Sequence, residues 1–216
     1  MALGKHGQGK AYFRVAYGAI RRTCQEGEPD AESRTTKDGK VVWEKVWGYL
    51  KGTLIGITHD LHDEWGHSWQ LHIDDDQVYV LQIQEDSRYG GDLLKKIPNL
   101  KIGTEYTFTP YDFTPKGEEK RKVGFSITDE STGEKVQSHY HKFDKANGKT
   151  KIEYLNGFPD PGDTTGWDKD DWKAFNIKAT KVMRNAALQL VHEPDSAVAQ
   201  SSVNDAPAPT EADLPF

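Results

Sequence analysis

The alternation of hydrophobic and polar positions predicts a chain built mainly from β-strands. An apolar residue at every second position is the pattern of a strand with one buried face. The stretches that show this pattern are 11–20, 41–58, 68–73, 77–83, 104–113 and 120–128. We predict that 41–58 is one long strand bent at its glycines. A last hairpin is predicted from 136–143 and 151–155 around Asn147 and Gly148.

Two segments have the spacing of helices. Residues 87–97 predict a short helix that ends before Pro98. A longer helix is predicted from Lys169 to about Leu190, with Asp168 as its N-cap. Its apolar residues recur at steps of three and four and are expected to pack on the sheet: Trp172, Phe175, Ala179, Val182, Ala186 and Leu190. The segments 25–40 and 59–66 are polar and are predicted to be loops.

The order of these elements indicates a fold. From residue 41 the chain has three strands, a short helix and two strands, which is the order of an OB-fold, a five-stranded barrel. We therefore predict a mainly β protein with an elaborated OB-fold, extra strands, a C-terminal helix and a disordered tail. The domain is expected to span 1–192. The tail, 193–216, is rich in Ala, Ser and Pro and has no periodicity.

Charge is distributed unevenly along the chain. It has 28 Lys and Arg against 34 Asp and Glu, and every basic residue lies at or before Arg184. The domain is thus nearly neutral, without the strong basic excess of a nonspecific duplex binder, although it has room for a local basic groove. The single Cys24 excludes an internal disulfide and fits a reducing compartment. Residues 1–10 do not have the apolar core of a signal peptide, and we find no stretch long enough to span a membrane.

Aromatic and basic residues are interleaved where an OB-fold binds its ligands. That region is the face of the second and third strands with the loops 1–2 and 4–5, here 59–66 and 110–120. A single strand needs rings on which bases stack and cations for its phosphates. The candidate contacts are Trp43, Lys45, Trp47, Tyr49, Trp65, Trp69, Tyr111, Phe113, Lys116, Lys120, Arg121 and Lys122. Alternatively, the rings belong to the core and the basic run is a solvated turn.

A cluster of imidazoles and carboxylates offers a second hypothesis. The residues His59, Asp60, His62, Asp63, Glu64 and His67 could hold a divalent metal for hydrolysis, and His139 and His141 form another pair. The spacing does not match HExxH, and we find no P-loop, GxGxxG or GxSxG motif. A polar hairpin loop explains the cluster equally well. We therefore predict no catalytic residue, no metal and no cofactor.

The last six residues combine charge with an apolar end. Two carboxylates, Glu211 and Asp213, precede Leu214, Pro215 and Phe216. Pro215 restricts its own φ and favours an extended Leu214. Such a tip suits a partner pocket with apolar walls and surrounding Lys or Arg. The alternative is a frayed terminus without a role.

This tip resembles the C-terminal tip of bacterial-type single-stranded DNA-binding proteins, which ends Asp-Asp-Asp-Ile-Pro-Phe. Asp213, Pro215 and Phe216 match, Leu214 replaces Ile, and Ala212 replaces a carboxylate. The resemblance covers only these six residues, and some phages encode proteins of this plan. It implies a non-enzymatic protein of the bacterial cytoplasm, with no membrane partner, that protects single-stranded DNA in replication, recombination or repair. Asp213, Leu214, Pro215 and Phe216 would recruit partner proteins. The alternatives are a metal-dependent nuclease or phosphoesterase, and a protein-only scaffold.

Overall fold

The chain folds into a curled, mainly β domain. The computed structural model describes residues 10–62, 66–146 and 149–194, and it describes side chains in these ranges except at 145, 146 and 149–151. The strands are β1 Ala11–Ala16, β2 Ala19–Thr23, β3 Glu32–Thr35, β4 Val41–Trp47, β5 Leu50–His62, β6 Gly66–Asp74, β7 Val78–Gln84, β8 Glu105–Phe113, β9 Lys122–Asp129, β10 His141–Ala146 and β11 Lys149–Tyr154. The helices are α1 Arg88–Leu94 and α2 Lys169–Leu188, and a 3-10 turn spans Ile97–Asn99.

Five strands have the chain order and the pairing of an OB-fold. Strands β5, β6 and β7 form an antiparallel meander, and α1 follows β7. Strand β8 then pairs with the free edge of β5, and β9 pairs with β8. The predicted mainly β fold, an elaborated barrel with its helix after the third strand, is confirmed.

Four additional strands extend the sheet instead of closing the barrel. The sheet order is β3-β4-β2-β1-β7-β6-β5-β8-β9. Strand β1 pairs in parallel with β7, from Ala11 opposite Tyr79 to Arg14 opposite Gln82. The free edge of β7 is therefore taken by β1, and β9 remains an edge strand, so the sheet is a half-barrel. Alternation along a sequence predicts strands but does not predict which distant strands pair, so the pairing of β1 with β7 does not follow from it.

Several predicted boundaries are wrong. Residues 11–20 form a hairpin, because Tyr17 (φ 53°) and Gly18 (φ 74°) make a two-residue turn. The predicted long strand 41–58 is two strands that separate before Leu50, and β5 continues through the predicted loop to His62. The predicted loop 25–40 contains β3. The last hairpin, β10–β11, starts later than predicted, and its expected turn residues at 147 and 148 lie outside the described residues.

The C-terminal helix belongs to the same core as the sheet. Asp168 caps α2 and forms a capping box with Asp171, which confirms the predicted start. The face of α2 is only partly as predicted: Ala179 is buried and Ala186 packs against the core, but Met183 and Ala187 are also buried, and Trp172 and Leu190 are exposed. The spacing of apolar residues along a helix predicts which face is buried only to within about one residue. Neither helix is long and apolar enough to cross a membrane, as far as the described residues go.

The chain returns to the sheet after α2. The backbones of His192 and Ile57 exchange hydrogen bonds of 2.8 Å. A Cβ added at Gly56 would lie 2.7 Å from Cδ of Pro194, so Pro194 packs directly on β5. Contacts with the sheet thus continue to Pro194, two residues beyond the predicted end of the domain.

Candidate nucleic-acid interface

The outer face of the sheet, which points away from the core, carries a row of polar side chains across five strands. The strand register places Arg21, Arg14, Gln82, Gln70 and Thr58 side by side on β2, β1, β7, β6 and β5. We call these five residues the polar row. Neighbouring strands lie about 4.8 Å apart, so the row is roughly 19 Å long. All five side chains are half-buried, which leaves their polar groups within reach of a ligand.

A second set of residues lies directly beside the polar row. The register aligns Tyr12, Val80, His72 and Gly56 on β1, β7, β6 and β5. Tyr12 is 41% exposed, whereas Val80 and His72 are buried. The outer face thus combines polar groups with an exposed aromatic ring that a base can stack on.

Three arginines converge on one buried carboxylate at the end of the polar row. Glu44, on β4, is paired with Arg14, with Arg21 (2.8 Å) and with Arg34 (3.0 Å). Burial alone would raise the pKa of Glu44, but hydrogen bonds from Arg21 and Arg14 and the arginine charges outweigh it and lower that pKa. Even with Glu32, which lies opposite Glu44 on β3, the cluster keeps a net positive charge. This excess of positive charge favours an anion such as phosphate at the cluster.

The β1–β2 turn adds an exposed ring next to these arginines. Tyr17 is 57% exposed, and the guanidinium carbons of Arg21 and Arg34 lie 5.4 and 6.0 Å from its ring centre. The neighbouring Gly18 N–H donates to the Tyr89 hydroxyl over 2.7 Å, which ties the turn to α1. The ring is thus held over the cationic end of the sheet rather than carried on a loose loop.

A hydrogen-bonded chain organises the other end of the polar row. The Thr58 hydroxyl donates to Oε1 of Gln70 (3.5 Å) and lies 2.9 Å from Nε2 of His72, and Nε2 of Gln70 donates to Asp60 (3.4 Å). A groove of about 420 Å³ lies here, lined by Lys10, Thr58, His59, Asp60, Gln70, His72, Glu193 and Pro194.

His72 gives the first prediction, a loss of stability in mild acid. Burial, and then the charge of Lys10, lower the pKa of His72 to about 4. In the unfolded chain that pKa is about 6.5, so the stabilisation is complete above pH 6.5 and is lost as the pH falls towards 4. Between pH 6.5 and 5 we expect the free energy of unfolding to fall by about 1.5 kcal/mol through this group. Urea unfolding at both pH values measures it.

The matched control for that experiment is the exposed His62. His72→Gln is expected to flatten the dependence of the unfolding free energy on pH, and His62→Gln is expected to leave it as in the native protein. Equal slopes for His72→Gln and the native protein would contradict the assignment.

The predicted aromatic–basic set on β4 lies on the other face of the sheet. Trp43, Lys45 and Trp47 share a face, as predicted, but it is the face of Phe13, whose ring centre is 5.2 Å from that of Trp47. Lys45 is bound to Glu28 over 2.9 Å. Tyr49 follows the end of β4 and is exposed. This set is therefore separated from the polar row by the thickness of the sheet.

Trp69 is a core residue and not a surface contact, so that candidate is wrong. It is 0% exposed, it donates from Nε1 to Glu85 over 3.0 Å, and its ring stacks on His59 at 4.4 Å. The alternation within β6 puts Trp69 on the same side as the buried Leu71 and Ile73. Trp65, the other candidate near this hairpin, lies outside the described residues.

The remaining candidates lie around β8 and β9. Tyr111 is half-buried beside Gly124, and Phe113 is exposed with its ring centre 5.9 Å from that of Tyr111. The basic residues Lys116, Lys120, Arg121 and Lys122 are all exposed. Arg121 is bound to Asp112, and Lys122 to Glu118 over 2.8 Å, so part of this positive charge is already paired.

The histidine cluster is occupied by structural contacts. Nε2 of His59 is 3.0 Å from Glu85, which also binds Arg184 of α2. Burial lowers the pKa of His59, although Glu85 acts in the opposite direction. His139 contacts Asn99, and His141 contacts Ser138. Within the described ranges we find no group of three or more His, Cys, Asp or Glu arranged to hold a metal; Asp63 and Glu64 lie outside them.

Sequence reasoning did not select the residues of the polar row. Its one available signal was the alternation that puts Tyr12 and Arg14 opposite the buried Phe13. Gln70 and Gln82 gave no signal of their own, because a polar residue in a strand is ordinary. Searches of protein-family models, curated proteins and solved structures found no match to this chain.

Proposed function

We propose that this protein binds single-stranded DNA on the outer face of its sheet, with the polar row as the central contact. The observation that carries the proposal is the alignment of Arg21, Arg14 and three neutral polar side chains across five adjacent strands. An OB-fold binds oligonucleotides on the face of its second and third strands, which are here β6 and β7 with Gln70 and Gln82. Tyr12 and Tyr17 add exposed rings on the same side.

The chemistry of this face suits a single strand better than a duplex. The arginines bind phosphate through charge-assisted hydrogen bonds, and each stacked base is worth about 1–3 kcal/mol. Stacking requires bases whose faces are accessible, which a duplex does not offer. The nearly neutral charge of the domain also disfavours nonspecific duplex binding.

Recruitment of other proteins by the C-terminal tip is the second part of the proposal. Asp213, Leu214, Pro215 and Phe216 lie outside the described residues, and their role rests on the resemblance of the tip alone. The support from the fold is positional, since the described chain ends at Pro194, beside the groove at the end of the polar row. Proteins that act in replication, recombination or repair would thereby be tethered beside the bound strand.

Two neighbouring arginines on β2 provide the test. Arg21 belongs to the polar row, whereas Arg22 is exposed and lies opposite Lys45 on the other face. In fluorescence anisotropy with labelled oligo-dT at low salt, Arg21→Gln is expected to weaken binding by about 10-fold, the loss of one charge-assisted hydrogen bond. Arg22→Gln removes the same charge and is expected to change affinity by less than about 3-fold.

The two variants together distinguish a specific site on the outer face from a general effect of net charge. Equal losses for both variants would mean that only net charge matters and would remove the outer face as the site. Absence of binding by the native chain would refute DNA binding and leave the two alternatives, a metal-dependent nuclease or phosphoesterase and a protein-only scaffold.

A further inference from the structure

A chain of aromatic rings runs from the β10–β11 hairpin to the start of α2. The ring centres of Phe143 and His141 are 6.3 Å apart and nearly parallel, those of His141 and Phe158 are 4.4 Å apart, and those of Phe158 and Phe175 are 6.2 Å apart. The contacts continue from Phe175 to Trp167 over 5.6 Å. Most of these rings cover one another, but Phe143, at the hairpin end, is 60% exposed. The chain of rings therefore ends in a ring that is mostly exposed in the described structure.

A groove of about 370 Å³ begins at this ring. It separates the hairpin from the end of α1 and is lined by Asp92, Lys95, Lys96, Val136, Gln137, Ser138, His141, Phe143 and Ile152. Its volume lies in the range of small-ligand sites. One wall is apolar and the opposite wall is cationic, so the groove suits a ligand that is apolar and planar on one side and anionic on the other.

The two lysines of the groove differ in whether their charge is already paired with a carboxylate. Lys96 is bound to Asp92 over 2.7 Å and to the carbonyl of Phe125. Lys95 makes no ion pair within the described residues, which leaves its charge available to an anion. A phosphate is therefore favoured at the mouth of the groove.

The groove is close to the proposed DNA-binding face. Helix α1 begins four residues after the end of β7, which carries Gln82 of the polar row, and Lys95 is the C-cap of α1. Seven helical residues span about 10 Å. Because α1 buries Tyr89, Leu93 and Leu94 in the core, a strand bound on the outer face would reach the groove by passing around the end of β7 and along α1.

We propose that this groove is a second subsite for the same single strand, in which one base stacks on Phe143 and the adjoining phosphate binds Lys95. The proposal rests on the proposed function. An acidic, apolar peptide is the other ligand of matching charge, and the nearly parallel rings of Phe143 and His141 favour a base. The subsite extends the footprint of the domain beyond its sheet.

The length dependence of binding tests the subsite. The full-length protein is titrated with labelled oligo-dT of increasing length, from about 4 to about 16 nucleotides, the range of OB-fold site sizes. Phe143→Ala and Lys95→Gln are expected to leave the affinity for the shortest bound oligonucleotide unchanged. For long oligonucleotides, Phe143→Ala is expected to weaken binding by about 5- to 150-fold, the loss of one stacked base. Ile177→Ala and Lys101→Gln are controls, because both replaced side chains are exposed and do not line the groove.

The outcomes are distinct. If Phe143→Ala lowers affinity equally at all lengths, or at none, the subsite is refuted while the proposed function stands. If the native protein binds no oligonucleotide of any length, the proposed function fails and the subsite with it. A labelled peptide of residues 205–216 is titrated in parallel. If Phe143→Ala abolishes its binding and leaves that of long DNA intact, the groove is a peptide site and the proposal is overturned.

Discussion

Replacing the whole charged cluster on the outer face by glutamine will weaken binding to oligo-dT by at least about 100-fold at low salt. The four residues are Arg14, Arg21, Arg34 and Glu44. Each charge-assisted hydrogen bond to phosphate is worth about 1.5–3 kcal/mol, and at least two are lost. The change removes three cations and one buried anion together, so no charge is left buried without its partner. Fluorescence anisotropy over a series of salt concentrations measures both affinity and its salt dependence.

The salt dependence distinguishes this explanation from a loss of structure. Each phosphate contact contributes about 0.7 to the slope of log affinity against log salt for a single strand, so the slope should become shallower by about 1.4 or more. The control removes the same net charge elsewhere, by Arg22→Gln with Lys101→Gln, and should keep most of the affinity. A variant with native circular dichroism and thermal stability that binds oligo-dT as the native protein does would contradict the proposed interface.

Trp69→Ala will lower the free energy of unfolding by about 3–5 kcal/mol, the cost of emptying a large aromatic site in a core. The ring is fully buried, stacks on His59, and donates a hydrogen bond to Glu85. Loss of that donor removes one of the contacts that hold Glu85, to which Arg184 of α2 is also bound. Urea denaturation of the native protein and of the variant measures the difference.

The matched variant for Trp69 is Trp69→Phe, which retains most of the buried apolar volume. We expect Trp69→Phe to be more stable than Trp69→Ala and to bind oligo-dT with native affinity, because no part of Trp69 reaches the surface. A loss of DNA binding by folded Trp69→Phe would restore this residue to the interface and contradict its assignment to the core.

The parts of the fold that depend on neighbouring residues could be predicted from the sequence. Asp168 and Asp171 lie three positions apart before an apolar period, and the capping box follows from that spacing. The meander β5–β6–β7 joins consecutive strands, so alternation was enough to predict it. The sequence does not predict the hairpin at Tyr17. Its turn requires a positive φ at Tyr17, and tyrosine seldom adopts a positive φ.

The candidate interface could not be predicted, because it is assembled by distant pairings. Arg14 and Gln82 become neighbours only through the parallel pairing of β1 with β7. Arg21 and Arg34 reach Glu44 only because β2 and β3 flank β4 on its two edges. The sequence prediction relied on tryptophans as stacking residues. Tryptophan rings are large and apolar and more often fill cores, as Trp69 does.

The most direct measurement is a map of the amide signals that shift when oligo-dT is added to the ¹⁵N-labelled full-length protein. We expect the largest shifts in β1, β2, β6 and β7, at Ala11–Ala16, Ala19–Thr23, Gly66–Asp74 and Val78–Gln84. Shifts confined to β4 and to residues 110–122 would contradict the outer face and would favour the binding residues predicted from the sequence. An unchanged spectrum at saturating oligonucleotide would contradict DNA binding altogether.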